Sequence, residues 1–242
     1  MGEAVLESPG TAEPPAEEEE AAQSPLQRSK LIRKRLNDAW CKEWTVLDKQ
    51  MYSASKKCKL NNIETWPVDA VSIFRDEKHH LLLGSVKAAC EIEEVNRSLG
   101  VRVTVVVTMS DDEWKRWGER SDYEEYYKSL GVVNLRYGGW DKILRPGEEY
   151  DAKKAEYKER WQKVCRDLDA VEAPGQKTIL FHCFAGLNRS TSALCAFMIL
   201  RKGLSAEEAV ERMIRVRAGQ WYWRDRQYFI EGLVETSEAQ GL

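Results

Sequence analysis

Five residues separate Cys183 from Arg189, and Ser190 directly follows the arginine. An apolar stretch, residues 178–181, precedes this run and another begins at Thr191, which predicts a strand, a tight loop and the start of a helix. Such a loop presents backbone N–H groups at the positive end of a helix dipole, an arrangement that binds anions. The same donors stabilise a thiolate, and the arginine fork can hold two phosphate oxygens. The spacing therefore predicts a cysteine that attacks phosphorus and forms a phosphocysteine intermediate.

The run resembles the Cys-x5-Arg-Ser/Thr signature of the cysteine-dependent protein tyrosine phosphatase superfamily, and the compact chain resembles its dual-specificity branch. The resemblance covers residues 80–234, where Leu81–Ala89 is similar to the family's opening strand and helix. It implies an α/β fold with a central mixed, mostly parallel sheet flanked by helices. It also implies that the reaction needs no metal and no other cofactor.

Roles follow from the resemblance by position in the signature. Cys183 is expected to be the nucleophile and Arg189 the phosphate clamp. Ser190 would donate to the Cys183 thiolate and help it leave in the second step, and His182 would support the loop from behind. The substrate-binding positions are those of the loop itself and its arginine: Phe184, Ala185, Gly186, Leu187, Asn188 and Arg189.

The family places a general-acid aspartate on a loop after a strand and before a long helix, and two residues compete for that role. Asp141 follows two glycines and a tryptophan, which suits a loop that closes over substrate. However, Asp141 lies 42 residues before Cys183, further than is usual in the family, whereas Asp151 lies at the usual 32. Because Asp151 falls where a helix should begin, capping and the helix dipole already explain an acid there. We therefore expect Asp141 to be the acid and keep Asp151 as the alternative.

The five variable loop positions, residues 184–188, contain no basic side chain. Relatives that hydrolyse phosphoinositides tend to carry lysine there, so the resemblance favours a phosphorylated protein as substrate, with phosphotyrosine first and phosphoserine or phosphothreonine also open. Three alternatives remain. The Gly-Leu-Asn-Arg sequence is similar to that of RNA 5′-phosphatases, and Ala-Gly-Leu with nine Trp in the chain is similar to glucan phosphatases. A weakly active phospho-binding scaffold is the third.

The composition of the chain indicates which compartment, metal chemistry and partners to expect. Six scattered Cys without a Cys-x2-Cys pair favour neither a zinc site nor a disulfide framework, so we expect a reducing compartment, the cytoplasm and as a second choice the nucleus. No long apolar run indicates a membrane span. Seven Glu in residues 1–25, without Lys, Arg or Asp, leave the rest of this chain of net charge −3 mildly basic. That balance suits an anionic substrate and is too weak to favour nucleic acid.

The chain divides into four predicted segments: a disordered acidic tail over residues 1–25, a helical extension over 26–75, a catalytic domain over 76–236 and a C-terminal tail over 237–242. Apolar patterning within the domain alternates strands with helices. We expect the following elements: strands over 68–74, 101–109 and 131–137, helices over 86–99 and 150–171, a capping box at Ser205–Glu208, and a last helix within 220–233.

Overall fold

The computed structural model describes residues 24–42, 68–110, 123–138, 144–217 and 227–242, with side chains to residue 35 in the first range. The predicted acidic tail thus lies almost wholly outside the described residues. The described elements, in chain order, are α1 (Pro25–Lys42), β1 (Val71–Arg75), β2 (His79–Gly84), α2 (Val86–Cys90), α3 (Ile92–Leu99), β3 (Val105–Thr108), α4 (Tyr123–Ser129), β4 (Val133–Arg136), α5 (Glu148–Ala170), β5 (Lys177–His182), α6 (Arg189–Lys202), α7 (Ala206–Val216) and α8 (Gln227–Glu238).

The described strands form one sheet in the order β1-β2-β5-β3-β4. β1 pairs antiparallel with β2, and the other three pairings are parallel. The expected central mixed, mostly parallel sheet is therefore confirmed. β5 lies in the middle of the sheet, so the segment that follows it leaves from the centre of the carboxyl edge, where parallel α/β sheets place their ligand sites.

Alternate strand residues point to opposite faces of the sheet. Both faces carry apolar side chains, and helices cover both. Leu82, Val106 and Leu180 pack with α2, α3 and α4 on one face. Their neighbours in sequence, such as Leu81 and Ile179, pack on the other face with the larger group of helices α5 to α8. Burial on both faces explains why these strands read as continuous apolar runs rather than alternating ones.

The helix after the Cys183 loop lies at the centre of the larger layer. All residues of α6 from Arg189 to Ile199 are buried, which is typical of a helix surrounded by other elements. It ends at Gly203, whose φ of 67° is the left-handed conformation that glycine adopts without steric cost. The capping box expected at Ser205 and Glu208 is present and begins α7.

The predicted and observed extents differ most in three elements. The helix expected over residues 86–99 is two helices, α2 and α3, separated at Glu91. The strand expected over 101–109 is confined to Val105–Thr108, and the backbone N–H of Thr104 bonds to the carbonyl of Thr178 just before regular pairing begins. The last helix begins at Gln227, later than expected. Apolar composition predicts burial, whereas hydrogen-bond partners decide where a regular element ends.

The N-terminal helix packs on the same layer as α7 and α8. Ile32 of α1 belongs to the large core cluster, and Arg28 forms an ion pair with Glu207 at 2.7 Å. The strand β1, which falls within the predicted extension, pairs with β2 as part of the sheet. Among the described residues, no helix is both long and apolar enough to cross a membrane.

Candidate active site

The predicted site residues lie in the segment that joins β5 to α6, at the carboxyl edge of the sheet. Cys183 follows the last residue of β5, and Arg189 is the first residue of α6. We call residues 183–188 the Cys183 loop. The structure thus has the strand, loop and helix start that the sequence predicts for an anion site.

The thiol of Cys183 lies at the base of this loop. Its residue is 3% exposed, and the fully buried Ser190 donates a hydrogen bond from Oγ to Cys183 Sγ at 3.2 Å. Arg189, at 6% exposure, is buried at the start of α6. The Ser190 hydroxyl is thus placed to donate to a sulfur that leaves as a thiolate, as the signature predicts. The structure brings the Ser190 hydroxyl into contact with the Cys183 sulfur and places Arg189 beside Ser190 in the chain.

Four consecutive carbonyl groups of the loop are hydrogen-bonded to partners outside it. Those of Cys183, Phe184, Ala185 and Gly186 accept respectively from His182 Nδ1 at 3.3 Å, Val86 N at 2.9 Å, Arg217 Nη2 at 3.4 Å and Thr191 Oγ1 at 3.2 Å. In a trans peptide the N–H points away from the C=O of the same unit. The N–H groups of residues 184–187 therefore face away from these anchors.

Gly186 allows the loop to approach the end of β2 closely. Its φ of 65° lies in the left-handed region, and a Cβ added there would lie 2.5 Å from the carbonyl oxygen of Gly84. Both the conformation and the space exclude a side chain. The glycine at this position of the signature is therefore a structural requirement of the loop.

His182 lies behind the loop and is fully buried. Its Nε2 lies 2.8 Å from Thr108 Oγ1, which in turn lies 3.0 Å from the side-chain amide of Asn134. Burial lowers the pKa of His182 to about 4, and the guanidinium groups of Arg189 and Arg136 act in the same direction, while the hydrogen bond to the Cys183 carbonyl opposes them. The imidazole is therefore neutral at pH 7. Because the Cys183 carbonyl can only accept, the hydrogen bond from His182 to this carbonyl requires the proton on Nδ1.

The buried neutral His182 makes stability depend on pH. An unfolded histidine takes up a proton near pH 6.5, whereas folded His182 does so only near pH 4, so the unfolded state binds more protons between these values. His182 therefore contributes stability above pH 6.5 that is lost as the pH falls, amounting to about 3 kcal/mol by pH 4. His182→Asn keeps a donor near Nδ1 and does not titrate. We expect its free energy of unfolding, measured with urea from pH 7.5 to 4.5, to fall less than that of the wild type.

The wild type and His182→Asn share their carboxylates and their other histidines, so the difference between the two curves isolates this one group. Curves that stay parallel across the range would show that His182 is not buried in the neutral form.

The side chains of the variable loop positions are neutral and mostly turned into the protein. Phe184 packs against the cluster formed by α2, α3 and α4, and Leu187 is buried. Ala185 and Asn188 are half-buried, and Gly186 has no side chain. The loop therefore meets a ligand with its backbone and with Arg189 rather than with charged side chains of its own.

Of the two candidate general acids, the structure describes only Asp151. Asp141, with the residues around it, lies outside the described residues, and its role stays a prediction. Asp151 lies in the first turn of α5, where its side chain is 70% exposed and pairs with Lys154 at 3.5 Å. The helix dipole and this ion pair account for Asp151 without a catalytic role.

Sequence reasoning missed four residues that hold the loop in place. Thr108 and Asn134 stand behind His182, and Arg217 with its partner Asp69 lies beneath Ala185. Thr108 could have been found, because it ends the strand that pairs with β5 beside His182. Arg217 gave no sequence signal, since it is one of many cations at the end of an amphipathic helix.

The other described cysteines do not share the environment of Cys183. Cys165 and Cys195 are buried in the core, and burial raises the pKa of Cys165 to about 12 and that of Cys195 further. Cys90 is half-buried, with its sulfur 2.8 Å from the hydroxyl of Tyr123. Within the described ranges, no three His, Cys, Asp or Glu side chains converge on a point where they could hold a metal ion.

Solved structures similar to this chain include three phosphatases. Human DUSP28 shares 20% identity, with 67% of this chain and 90% of that chain covered and a TM-score of 0.45. The Yvh1 phosphatase domain from Chaetomium thermophilum shares 21% identity, covering 72% and 98%, with a TM-score of 0.43. PTPMT1 shares 20% identity, covering 72% and 99%, with a TM-score of 0.43. No family model matches the chain, and no curated protein matches it in sequence.

The sheet and the loop define the class of fold. A five-stranded mixed sheet with helices on both faces carries the Cys-x5-Arg loop at the carboxyl end of its central strand. This is a fold of the cysteine-dependent protein tyrosine phosphatase and dual-specificity phosphatase type. The fold predicted from the signature is confirmed.

Proposed function

We propose that this protein is a cysteine-dependent phosphatase that hydrolyses phosphotyrosine in proteins, and accepts phosphoserine or phosphothreonine less readily. One observation carries the proposal: the Cys183 sulfur lies at the base of a loop whose four successive carbonyls are all anchored outside it. A nucleophile surrounded by backbone donors suits a tetrahedral dianion. The expected reducing compartment, cytoplasmic or nuclear, is part of the same proposal.

The proposed reaction has two steps. In the first, Cys183 Sγ forms a bond to phosphorus, the ester P–O bond breaks, and Asp141 gives its proton to the leaving oxygen. In the second, a water oxygen bonds to phosphorus and passes its proton to Asp141, and the Sγ–P bond breaks. Ser190 stabilises the departing thiolate through its hydrogen bond to the sulfur. Arg189 and the loop N–H groups stabilise the charge on the equatorial oxygens in both steps.

The neutral loop supports a protein substrate over a polyanionic one. A phosphorylated side chain brings a single phosphate, which Arg189 and the backbone donors can neutralise. An inositol phosphate brings further phosphates, and residues 184–188 offer no cation to bind them. The same argument disfavours RNA, whose backbone phosphates need several cations.

The proposal is tested by turnover of p-nitrophenyl phosphate and of matched peptides phosphorylated on Tyr, Ser or Thr, each measured with EDTA and a thiol reductant present. We expect hydrolysis that ignores EDTA and a kcat/KM that is highest for the phosphotyrosine peptide. Turnover confined to an RNA 5′-phosphate or a phosphoglucan would contradict the substrate assignment. A folded, reduced protein that hydrolyses none of these esters would contradict the enzymatic proposal and favour a phospho-binding scaffold.

The general acid is tested with the pair Asp141→Asn and Asp151→Asn. Loss of a positioned proton donor costs about 10²–10⁴-fold, and costs most when the leaving group is a poor one. We expect Asp141→Asn to lower kcat for phenyl phosphate strongly, and for p-nitrophenyl phosphate less. Asp151→Asn should have little effect on either, because its exposed carboxylate pairs with Lys154 on its own helix. The reverse pattern would assign the role to Asp151.

A further inference from the structure

A fully buried ion pair lies directly beneath the Cys183 loop. Arg217, the residue that caps the end of α7, donates from Nη2 to Asp69 Oδ2 at 2.7 Å, and the two side chains are 1% and 0% exposed. The partners are 148 residues apart in sequence. Burying two charges costs several kcal/mol per ion, so such a pair contributes little net stability by itself. Its position needs another explanation.

The ion pair connects four parts of the fold. The other oxygen of Asp69 accepts from the Ser85 backbone N–H at 3.1 Å and from the Ser85 hydroxyl. Ser85 in turn caps α2. The same Arg217 Nη2 that donates to Asp69 also donates to the Ala185 carbonyl at 3.4 Å. A Cβ built on Gly186 would also lie only 3.2 Å from Arg217 Nη1, so the guanidinium is in contact with the underside of the loop.

We propose that Arg217, held in place by Asp69, is a positioning residue that orients the peptide between Ala185 and Gly186 toward the bound oxyanion. Because that peptide is trans and planar, a carbonyl held toward Arg217 turns the Gly186 N–H to the opposite side, where the phosphate binds. The other three carbonyl anchors of the loop are a neutral imidazole, a backbone N–H and a hydroxyl. Arg217 is the charged one among them.

On this proposal the ion pair serves to orient the guanidinium and adds little to the stability of the fold. A guanidinium has a rigid planar fork, so Asp69 fixes its plane and thereby the direction of the N–H groups that face the loop. A lysine could pair with Asp69 but could not hold the carbonyl in the same fixed direction. The inference rests on the proposed function, since it concerns the oxyanion site of that reaction.

The test must separate orientation of the loop from simple stability. Arg217→Met alone leaves the Asp69 carboxylate buried without its cation, which is strongly destabilising. The double variant Arg217→Met/Asp69→Asn removes both charges, and the amide oxygen that replaces the carboxylate can still accept from Ser85. Replacing a buried pair by neutral groups of similar volume is often neutral for stability. Arg217→Lys, which keeps the charge, is the second variant.

Lys202→Met is the matched control. Lys202 is also well buried and pairs with Asp76 at 2.6 Å, with its Nζ 2.6 Å from His79 Nδ1. His79 begins β2, which runs parallel to β5, so this pair lies at the amino end of these strands, whereas the Cys183 loop lies at their carboxyl end. The control therefore removes a comparable cation without touching the loop.

The experiment measures, in the full chain, the dissociation constant of inorganic tungstate by calorimetry, and kcat and KM for p-nitrophenyl phosphate. For the double variant and for Arg217→Lys we expect tungstate to bind about tenfold more weakly and kcat to fall about 100-fold, since one oxyanion donor is misdirected. Thermal unfolding should show both variants folded at the assay temperature. Lys202→Met should lower the melting temperature and leave tungstate binding and kcat unchanged.

The inference is wrong if the folded variants bind tungstate as tightly as the wild type and have the same kcat. If the double variant does not fold, Arg217→Lys decides the question by the same two measurements. Failure of the proposed function has a different signature: the wild type would hydrolyse no phosphate ester, yet tungstate binding would still report on the loop. A wild type that does not bind tungstate would overturn the inference as well.

Discussion

Cys183→Ser is expected to lower kcat for p-nitrophenyl phosphate and for a phosphotyrosine peptide by about 10⁴-fold or more. A serine hydroxyl stays protonated at neutral pH, and no described side chain beside it is a base that could activate it, since His182 is turned to the Cys183 carbonyl and Thr108. The loss should appear in kcat rather than KM, because the backbone donors and Arg189 still bind phosphate. The measurement is steady-state kinetics with tungstate affinity determined alongside.

Cys195→Ala is the matched control for this loss. Cys195 is a buried thiol on the same helix that follows the loop, and burial raises its pKa, so it is not a nucleophile. We expect Cys195→Ala to keep kcat near the wild-type value. A Cys183→Ser protein with more than about 1% of wild-type kcat would refute covalent catalysis through this sulfur.

Gly186→Ala is expected to lower both stability and catalysis. The left-handed conformation costs a non-glycine residue about 1–2 kcal/mol, and the contact with the Gly84 carbonyl adds the cost of displacing backbone. Together we expect a loss of about 2–4 kcal/mol in the free energy of unfolding. Since the loop must move away from β2 to admit the methyl group, its N–H groups lose their alignment and kcat/KM should fall about 100-fold or more.

Gly203→Ala separates these two causes. Gly203 has nearly the same φ, 67°, but a Cβ there meets nothing within 4 Å. This control should lose only the conformational part of the stability, about 1–2 kcal/mol, and keep wild-type kcat/KM. Equal losses in the two alanine variants, with activity retained in both, would show that the close approach of Gly186 to Gly84 is not a constraint on the loop.

Both predictions treat the loop as a preorganised unit. In the proposed reaction the sulfur forms the bond to phosphorus, and the anchored carbonyls would keep the N–H groups directed at the charge that develops. Preorganised donors need no reorganisation when the reaction occurs, which is why their alignment has a large effect on rate. Catalysis is therefore expected to be sensitive to Gly186, whose conformation sets the shape of the loop, and to Arg217, which need not touch the substrate.

Much of the fold could be predicted from the sequence, because local signals agree with the global arrangement. The apolar run before Cys183 is a strand, Gly100 and Gly203 end helices in the left-handed conformation, and Ser205 with Glu208 forms the expected capping box. Each of these signals depends on residues a few positions apart. Element boundaries, as at Glu91 between α2 and α3, depend on distant hydrogen-bond partners and were predicted less well.

The sequence by itself determined which side chains form the site, namely a cysteine on the loop between a strand and a helix, with an arginine and a serine at the start of that helix. These residues are close in the chain, so their spacing alone brings them together. Only the tertiary structure decided what holds that loop in shape. Thr108 and Asn134 behind His182, and the pair of Arg217 with Asp69, come from segments up to 148 residues apart. Their contacts arise from the order of strands in the sheet and the packing of α7, which no local pattern encodes.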